Sequence, residues 1–205
     1  MNHNMHWEQT YSSNQTEALG WYTHHLQTSL SWIQELDLDA NAPIIDVGGG
    51  ASTLVDDLLE ADHRSITVLD ISDKALSLAR VRLGEKAKLV KWLEGNITSL
   101  DLPTQYYELW HDRAVFHFLT EAGQQDKYRD RLLSALKPGG HLIIGTFTTE
   151  APPKCSGLPV QRYNLDQLEN ILGGEFELKR HNKELHITPG GVEQMYLYCR
   201  FRKVT

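Results

Sequence analysis

Residues 43–52, Pro-Ile-Ile-Asp-Val-Gly-Gly-Gly-Ala-Ser, constrain the fold more than any other stretch of this chain. A short apolar run ends in an acid, Asp46. A glycine turn follows at Gly48, Gly49 and Gly50, and Thr53-Leu54-Val55 opens a helix. Such a strand–turn–helix corner lets a ligand lie against bare backbone, because glycine has no Cβ to hold it away. About 20 residues past the turn, a second apolar run, Ile66-Thr67-Val68-Leu69, ends in Asp70, well placed to accept hydrogen bonds from both hydroxyls of a ribose.

The rest of the chain continues this alternation. Leu26, Leu30, Ile33 and Leu36 recur at helical spacing and predict one apolar helix face between Thr23 and Leu36. Residues 44–47 read as a buried strand, 53–60 as a helix and 66–69 as a second strand. Ser72 can cap a helix over Asp73–Leu83 that Gly84 ends. Strands are expected at 88–93 and 106–110, then a helix at 122–136 stopped by Lys137-Pro138-Gly139-Gly140, then a fifth strand at 141–146. Strands alternating with helices imply a parallel sheet covered on both faces. The last third breaks the rhythm. Asn164 can cap a helix ending near Gly173-Gly174, and two β-like runs, 175–181 and 194–202, lie on either side of Thr188-Pro189-Gly190-Gly191. With no helix between them, they should pair antiparallel.

At 205 residues the chain suits one domain, 1–205, in which an aromatic-rich lid and helix (1–42) precede a Rossmann-like core (43–205). A 40% hydrophobic and 23% charged composition is ordinary for a soluble protein. No apolar run approaches the ~20 residues of a membrane span, and the first residues lack a secretory signal. The expectation is therefore a cytoplasmic protein. A net charge of −7 argues against a broad nucleic-acid surface. Nothing in the composition sets the oligomeric state.

The glycine corner admits two cofactor classes. A dinucleotide fingerprint wants glycine at its last position, where Gly48-x-Gly50-x-x-Thr53 has threonine. It also has no need of an acid at the strand end, whereas Asp46 suits a ligand carrying cationic groups. From about residue 43 to 202 the chain resembles the class I (seven-stranded, Rossmann-like) S-adenosylmethionine-dependent methyltransferases. Asp46-Val47-Gly48-Gly49-Gly50 matches the family's first motif and Asp70 its second. Asn96 in Glu94-Gly95-Asn96-Ile97 matches its third, and Leu136–Gly140 its post-helix turn. The segments Trp110–Leu119 and Cys155–Pro159 are similar to those of functionally unassigned bacterial members. The resemblance implies an α/β, doubly wound, mostly parallel seven-stranded sheet with a carboxy-terminal antiparallel hairpin and helices on both faces. It further implies S-adenosylmethionine as cofactor and S-adenosylhomocysteine as product. The cofactor would be held by Asp46, Gly48, Gly49, Gly50, Asp70, Ile71, Asn96, Ile97 and His111. The end of strand four, where the family faces sulfonium and acceptor, is occupied by Trp110-His111-Asp112-Arg113.

Each position has a plainer reading. Asp46 and Asp70 can be turn acids, and Asn96 a turn residue. His111, Asp112 and Arg113 form the catalytic candidate: an imidazole, a carboxylate and a guanidinium in succession at a carboxyl strand end, with His111 able to take a proton. Alternatively Asp112 caps the next turn and Arg113 pairs with it. His117 is expected on a following helix as a packed histidine, and His24-His25 as solvated. Tyr11, Trp21 and Tyr22, with Trp7, either roof the core or form a lid over cofactor and acceptor, since aromatic faces attract a sulfonium by ~0.5–2 kcal/mol. Residues 148–163 are long for a loop and suggest function. Cys155, His186 and Cys199 could bind a soft metal if clustered, but lacking CxxC spacing they read as buried thiols, so no metal is expected.

The leading expectation is an enzyme moving a methyl group to a small-molecule acceptor by direct in-line transfer. A protein lysine acceptor is the alternative. A non-catalytic cofactor-binding protein and an NAD-dependent oxidoreductase stand behind these. Nucleic-acid bases are demoted, because the chain lacks an Asp/Asn-Pro-Pro-aromatic run and a Pro-Cys nucleophile.

Overall fold

A computed structural model describes residues 3–204. Its sheet has seven strands: β1 (Ile44–Val47), β2 (Ile66–Asp70), β3 (Val90–Glu94), β4 (Tyr107–Arg113), β5 (Leu136–Phe147), β8 (Phe176–Ile187) and β9 (Glu193–Lys203). Their order is β3-β2-β1-β4-β5-β9-β8. The first five run parallel, and β9 pairs antiparallel with both β5 and β8. Between β5 and β8 lie a two-residue-per-strand hairpin, β6 (Lys154–Cys155) and β7 (Leu158–Pro159), and helix α6 (Leu165–Leu172).

Period-2 alternation along the strands builds two cores, one on each face. Ile45, Val47, Trp110, Leu142, Ile144, Leu197 and Cys199 face α5 (Ala122–Ala135) and α6. Ile44, Leu109, Ile143, Tyr196 and Tyr198 face α2 (Gln27–Gln34), α3 (Leu54–Glu60) and α4 (Asp73–Leu83). Burial is complete along β1 and β2 and at the centres of β4 and β9, as expected for strands covered on both faces, whereas of the edge strands β3 is partly and β8 largely exposed.

Local signals work where they carry a mechanism. The Ser72 hydroxyl accepts from the Ala75 N–H at 3.1 Å, and Gly84 ends α4 with φ of 57°. Asn164 and Gln167 form a reciprocal capping box on α6. Four expectations need correction. Residues 3–13 form a helix, α1, although only Tyr11 of it is buried. The fourth strand, expected to span 106–110, continues past Trp110 to Arg113, so that His111, Asp112 and Arg113 lie within the sheet. Lys137–Gly140 does not separate helix from strand, because β5 already begins at Leu136, paired with Tyr107. The segment after His111-Asp112-Arg113 is a short 3₁₀ turn, Phe116–Phe118, with His117 fully buried and its Nδ1 accepting from the Phe147 N–H.

Candidate functional site

The carboxyl ends of β1, β2 and β4 open into a cleft of about 890 Å³, its mouth included. Gly48, Asp70, Ile71, Asn96, Ile97 and Arg113 line it, together with Tyr11 and Trp21 from the amino-terminal segment. An adjoining cavity is lined by Asp46, Gly48, Gly49, His111 and Tyr22, with Tyr11, Trp21 and Arg113 shared between the two. Gly50 lines neither. Its glycine character makes room for Asp70 instead, because a Cβ there would stand 2.5 Å from Asp70 Oδ2 and 3.2 Å from the Tyr11 hydroxyl.

The two strand-end acids are built differently. Asp70 is buried, and its Oδ1 accepts from the Ser72 N–H at 2.8 Å. Burial pushes its carboxyl up to about 7, with the Asp46 charge adding to the effect and the backbone N–H groups opposing it. On Asp46, Oδ1 is 2.7 Å from His111 Nδ1, while Oδ2 is buried with no partner. The opposite ring nitrogen, Nε2, is 2.8 Å from the Ser29 hydroxyl of α2. The carboxylate makes Nδ1 the protonated nitrogen, so Nε2 accepts from Ser29. With both nitrogens engaged and 1% exposure, His111 has no lone pair free for an acceptor.

The three catalytic candidates do not act as a row. Because β4 runs on to Arg113, its side chains alternate, and Asp112 points to the α5 face. There its Oδ2 accepts from the Tyr128 hydroxyl at 2.7 Å, and its Oδ1 accepts from the N–H groups of Val115 and Phe116. Asp112 therefore lines neither cavity and braces the turn after β4, with burial raising its carboxyl to about 6. Arg113 does not pair with it. Its Nε donates to the Tyr198 hydroxyl at 2.9 Å and its Nη1 to the Trp21 carbonyl at 3.1 Å.

Asn96 combines its two readings. Its Oδ1 accepts from the N–H and hydroxyl of Thr98, making a side-chain turn, while the residue lines the main cleft. The aromatic segment forms a roof. Trp7 meets Trp21, Tyr11 and Phe118 with ring centroids 5.4, 6.3 and 5.1 Å apart. Helix α1 is tied down by Asn4 donating to the Ile71 carbonyl at 2.5 Å, and by Glu8 accepting from the Lys74 N–H. Sequence reading missed α1 because its apolar positions are few and form no stripe along one face. His24 is exposed as expected, whereas the exposed His25 sits 2.8 Å from Asp57.

Cys155, His186 and Cys199 do not cluster. Cys155 lies in the core on one sheet face and Cys199 in the other. His186 Nε2 pairs with the Gly20 carbonyl. Burial pushes the two thiols up to about 11 and about 12. Among the described residues no group of three or more His, Cys, Asp or Glu side chains is placed to hold a metal ion. No described helix is long and apolar enough to cross a membrane.

Residues 44–140 match the family model of the methyltransferase domain. Over those residues the chain is similar to methyltransferase domains, and its seven-stranded sheet is the fold of the solved methyltransferases it resembles. Its likeness to solved structures extends over nearly its whole length. An S-adenosylmethionine-dependent methyltransferase from Anabaena variabilis is 15% identical with a TM-score of 0.75, over 99% of this chain and 96% of that one. A protein studied for the conversion of a disulfide bond into a thioacetal group during echinomycin biosynthesis is 16% identical, with a TM-score of 0.79 over 99% and 93%. The 1,6-didemethyltoxoflavin-N1-methyltransferase of Burkholderia thailandensis, solved with 1,6-didemethyltoxoflavin and S-adenosylhomocysteine, is 20% identical. Its TM-score is 0.67 over 90% and 81%. A comparison with curated protein sequences finds no match.

Proposed function

We propose that the chain transfers a methyl group from S-adenosylmethionine to a small-molecule acceptor by direct in-line displacement. The observation that carries this reading is the buried, unpartnered Oδ2 of Asp46 beside the glycine corner, in a site that already spends the other oxygen on His111. A buried carboxylate oxygen without a partner is costly unless a ligand cation or N–H meets it. The ammonium end of S-adenosylmethionine is such a group. Asp70 suits the ribose, Asn96 and Ile97 line the adenine side, and Gly48 and Gly49 leave the backbone open between them.

Bound S-adenosylmethionine supplies a methyl carbon made electrophilic by its sulfonium. This chain's own residues do the rest by positioning and by excluding water. His111 orients Asp46 rather than moving a proton, with Ser29 fixing its tautomer. Trp7, Tyr11, Trp21 and Phe118 close the cleft from above, so residues 1–42 serve as a lid on the 43–205 core. A roofed cleft suits a small acceptor, and the Burkholderia thailandensis enzyme with bound 1,6-didemethyltoxoflavin offers a precedent of similar fold.

Calorimetry of the full chain with S-adenosylmethionine, S-adenosylhomocysteine and NAD tests the reading. Saturable binding of the first two and none of NAD is expected, followed by S-adenosylhomocysteine release with a small-molecule panel. Binding of NAD alone would overturn it.

A further inference from the structure

Asp46 and Asp70 are the acids of the site, on its β1 and β2 side. The opposite side holds a cation, Arg113, with no ion-pair partner among the described residues. Arg113 stands level with Gly145 of β5, one residue beyond the Val47–Asp112 register. Gly145 is required there. A Cβ would lie 3.2 Å from the Tyr198 ring and 3.5 Å from Arg113 Cγ, so its absence leaves room for Arg113 beside Tyr198. The guanidinium carbon then lies 4.4 Å above the Tyr196 ring.

Every close partner of this guanidinium is uncharged: the Tyr198 hydroxyl, the Trp21 carbonyl and the Tyr196 ring face. Glu184 of β8 acts on it only from beyond ion-pair distance. The Nη2 group is buried and has no hydrogen-bond partner. An arginine keeps its charge at any working pH, so a desolvated, half-satisfied guanidinium is costly unless an anion completes it. The planar fork matches a carboxylate, and Arg113 faces both cavities.

We propose that Arg113 is the recognition point for the anionic, carboxylate-bearing end of the methyl acceptor. This rests on the methyl-transfer reading above and narrows its substrate class. The same chemistry could be offered by the α-carboxylate of the cofactor. Arg113 lies across the corner from Asp70, level with β5, and on that side the main cleft is lined by Phe118, Leu119 and, from the β6–β7 hairpin, Cys155 rather than by cofactor-binding motifs. That position favours the acceptor.

The test uses the full chain saturated with S-adenosylhomocysteine, and benzoate and benzamide as probes of equal shape and different charge. Binding is read by calorimetry and by the fluorescence of Trp7 and Trp21 in the cleft wall. Benzoate is expected to bind at least about tenfold more tightly than benzamide, the scale of a charge-assisted hydrogen-bond pair. Arg113→Gln should erase that preference while changing S-adenosylhomocysteine affinity less than about threefold. Equal binding of the two probes by the wild-type chain, or no saturable benzoate binding, overturns the proposal without needing the variant to fold. A variant that loses S-adenosylhomocysteine as steeply as benzoate also overturns it, by assigning Arg113 to the cofactor's carboxylate. Failure of the wild-type chain to bind S-adenosylhomocysteine sinks the methyl-transfer reading itself, a result separable from the others.

Discussion

Gly48 answers two demands at once. Its φ of 70° is a conformation that side chains rarely adopt, and a Cβ there would stand 1.9 Å from Val115 Cγ2. The glycine therefore serves the turn after β4 as well as an approaching ligand, and a substitution cannot touch binding alone. Gly48→Ala is expected to lower the melting temperature by several degrees and to abolish S-adenosylhomocysteine binding. Adding Val115→Ala should recover part of the stability and none of the binding. Wild-type affinity in that double variant would mean that the cofactor lies elsewhere. Asp70→Ala removes charge-assisted hydrogen bonds of ~1.5–3 kcal/mol each, so S-adenosylhomocysteine should bind about 10- to 100-fold more weakly. Unchanged affinity in a folded variant would remove Asp70 from the site. His111→Ala leaves Asp46 Oδ1 and the Ser29 hydroxyl buried without their partner. It should cost stability and cofactor affinity together, at about 1–3 kcal/mol of destabilisation. A fall in turnover with cofactor affinity and melting temperature intact would restore His111 to the chemistry.

At the scale of elements, legibility followed the strength of the local cause. The αβ alternation, the Ser72 and Asn164 caps and the corner were readable because each rests on a period or a side-chain hydrogen bond within a few residues. The end of β4 was not. Nothing local marks Arg113 as a strand residue, because the β4–β5 pairing that extends the strand is set by residues some 30 positions away. The error propagated to Asp112, whose side-chain direction depends on that extra length. Helix α1 was missed for a related reason: it is held by α4 and by the Ile71 carbonyl rather than by its own apolar stripe. Helices so weakly self-sufficient open readily. Backbone amides of α1 should therefore exchange with deuterium well before those of α4, and S-adenosylhomocysteine should slow them. Exchange in α1 as slow as in α4, or indifferent to the ligand, would refute its role as a lid.

For the molecule as a whole, Asp70, the acid proposed to hold the ribose, would tie binding to pH. Asp70 has a folded value near 7 against an ordinary value near 3.8. The folded, empty protein thus holds a proton that the unfolded chain releases, and this group lowers stability as pH rises from about 4 to 7. Asp112, raised to about 6, acts in the same direction. His117 opposes them: burial and the Arg113 charge lower it to about 3, so its contribution is lost as pH falls from about 6.5 to 3. Ribose hydroxyls donate best to the ionised Asp70. S-adenosylhomocysteine affinity, and the rise in melting temperature it produces, should accordingly grow between about pH 6 and 8. Asp70→Asn should flatten the profile, and a flat wild-type profile would show that Asp70 binds in either protonation state.

The seam between β4 and β5 divides the site into two halves. On one side stand Asp46, Gly48 and Asp70, all at the carboxyl ends of parallel strands. On the other stands Cys155 of the small β6–β7 hairpin, with Tyr196 and Tyr198 of the antiparallel β9 buried behind Arg113. Few side chains cross the seam, and Arg113 is one that does. On the proposed reading, mutational drift in the hairpin would remodel which acceptors fit while leaving the cofactor side untouched. Directed evolution toward new acceptors should concentrate its libraries there.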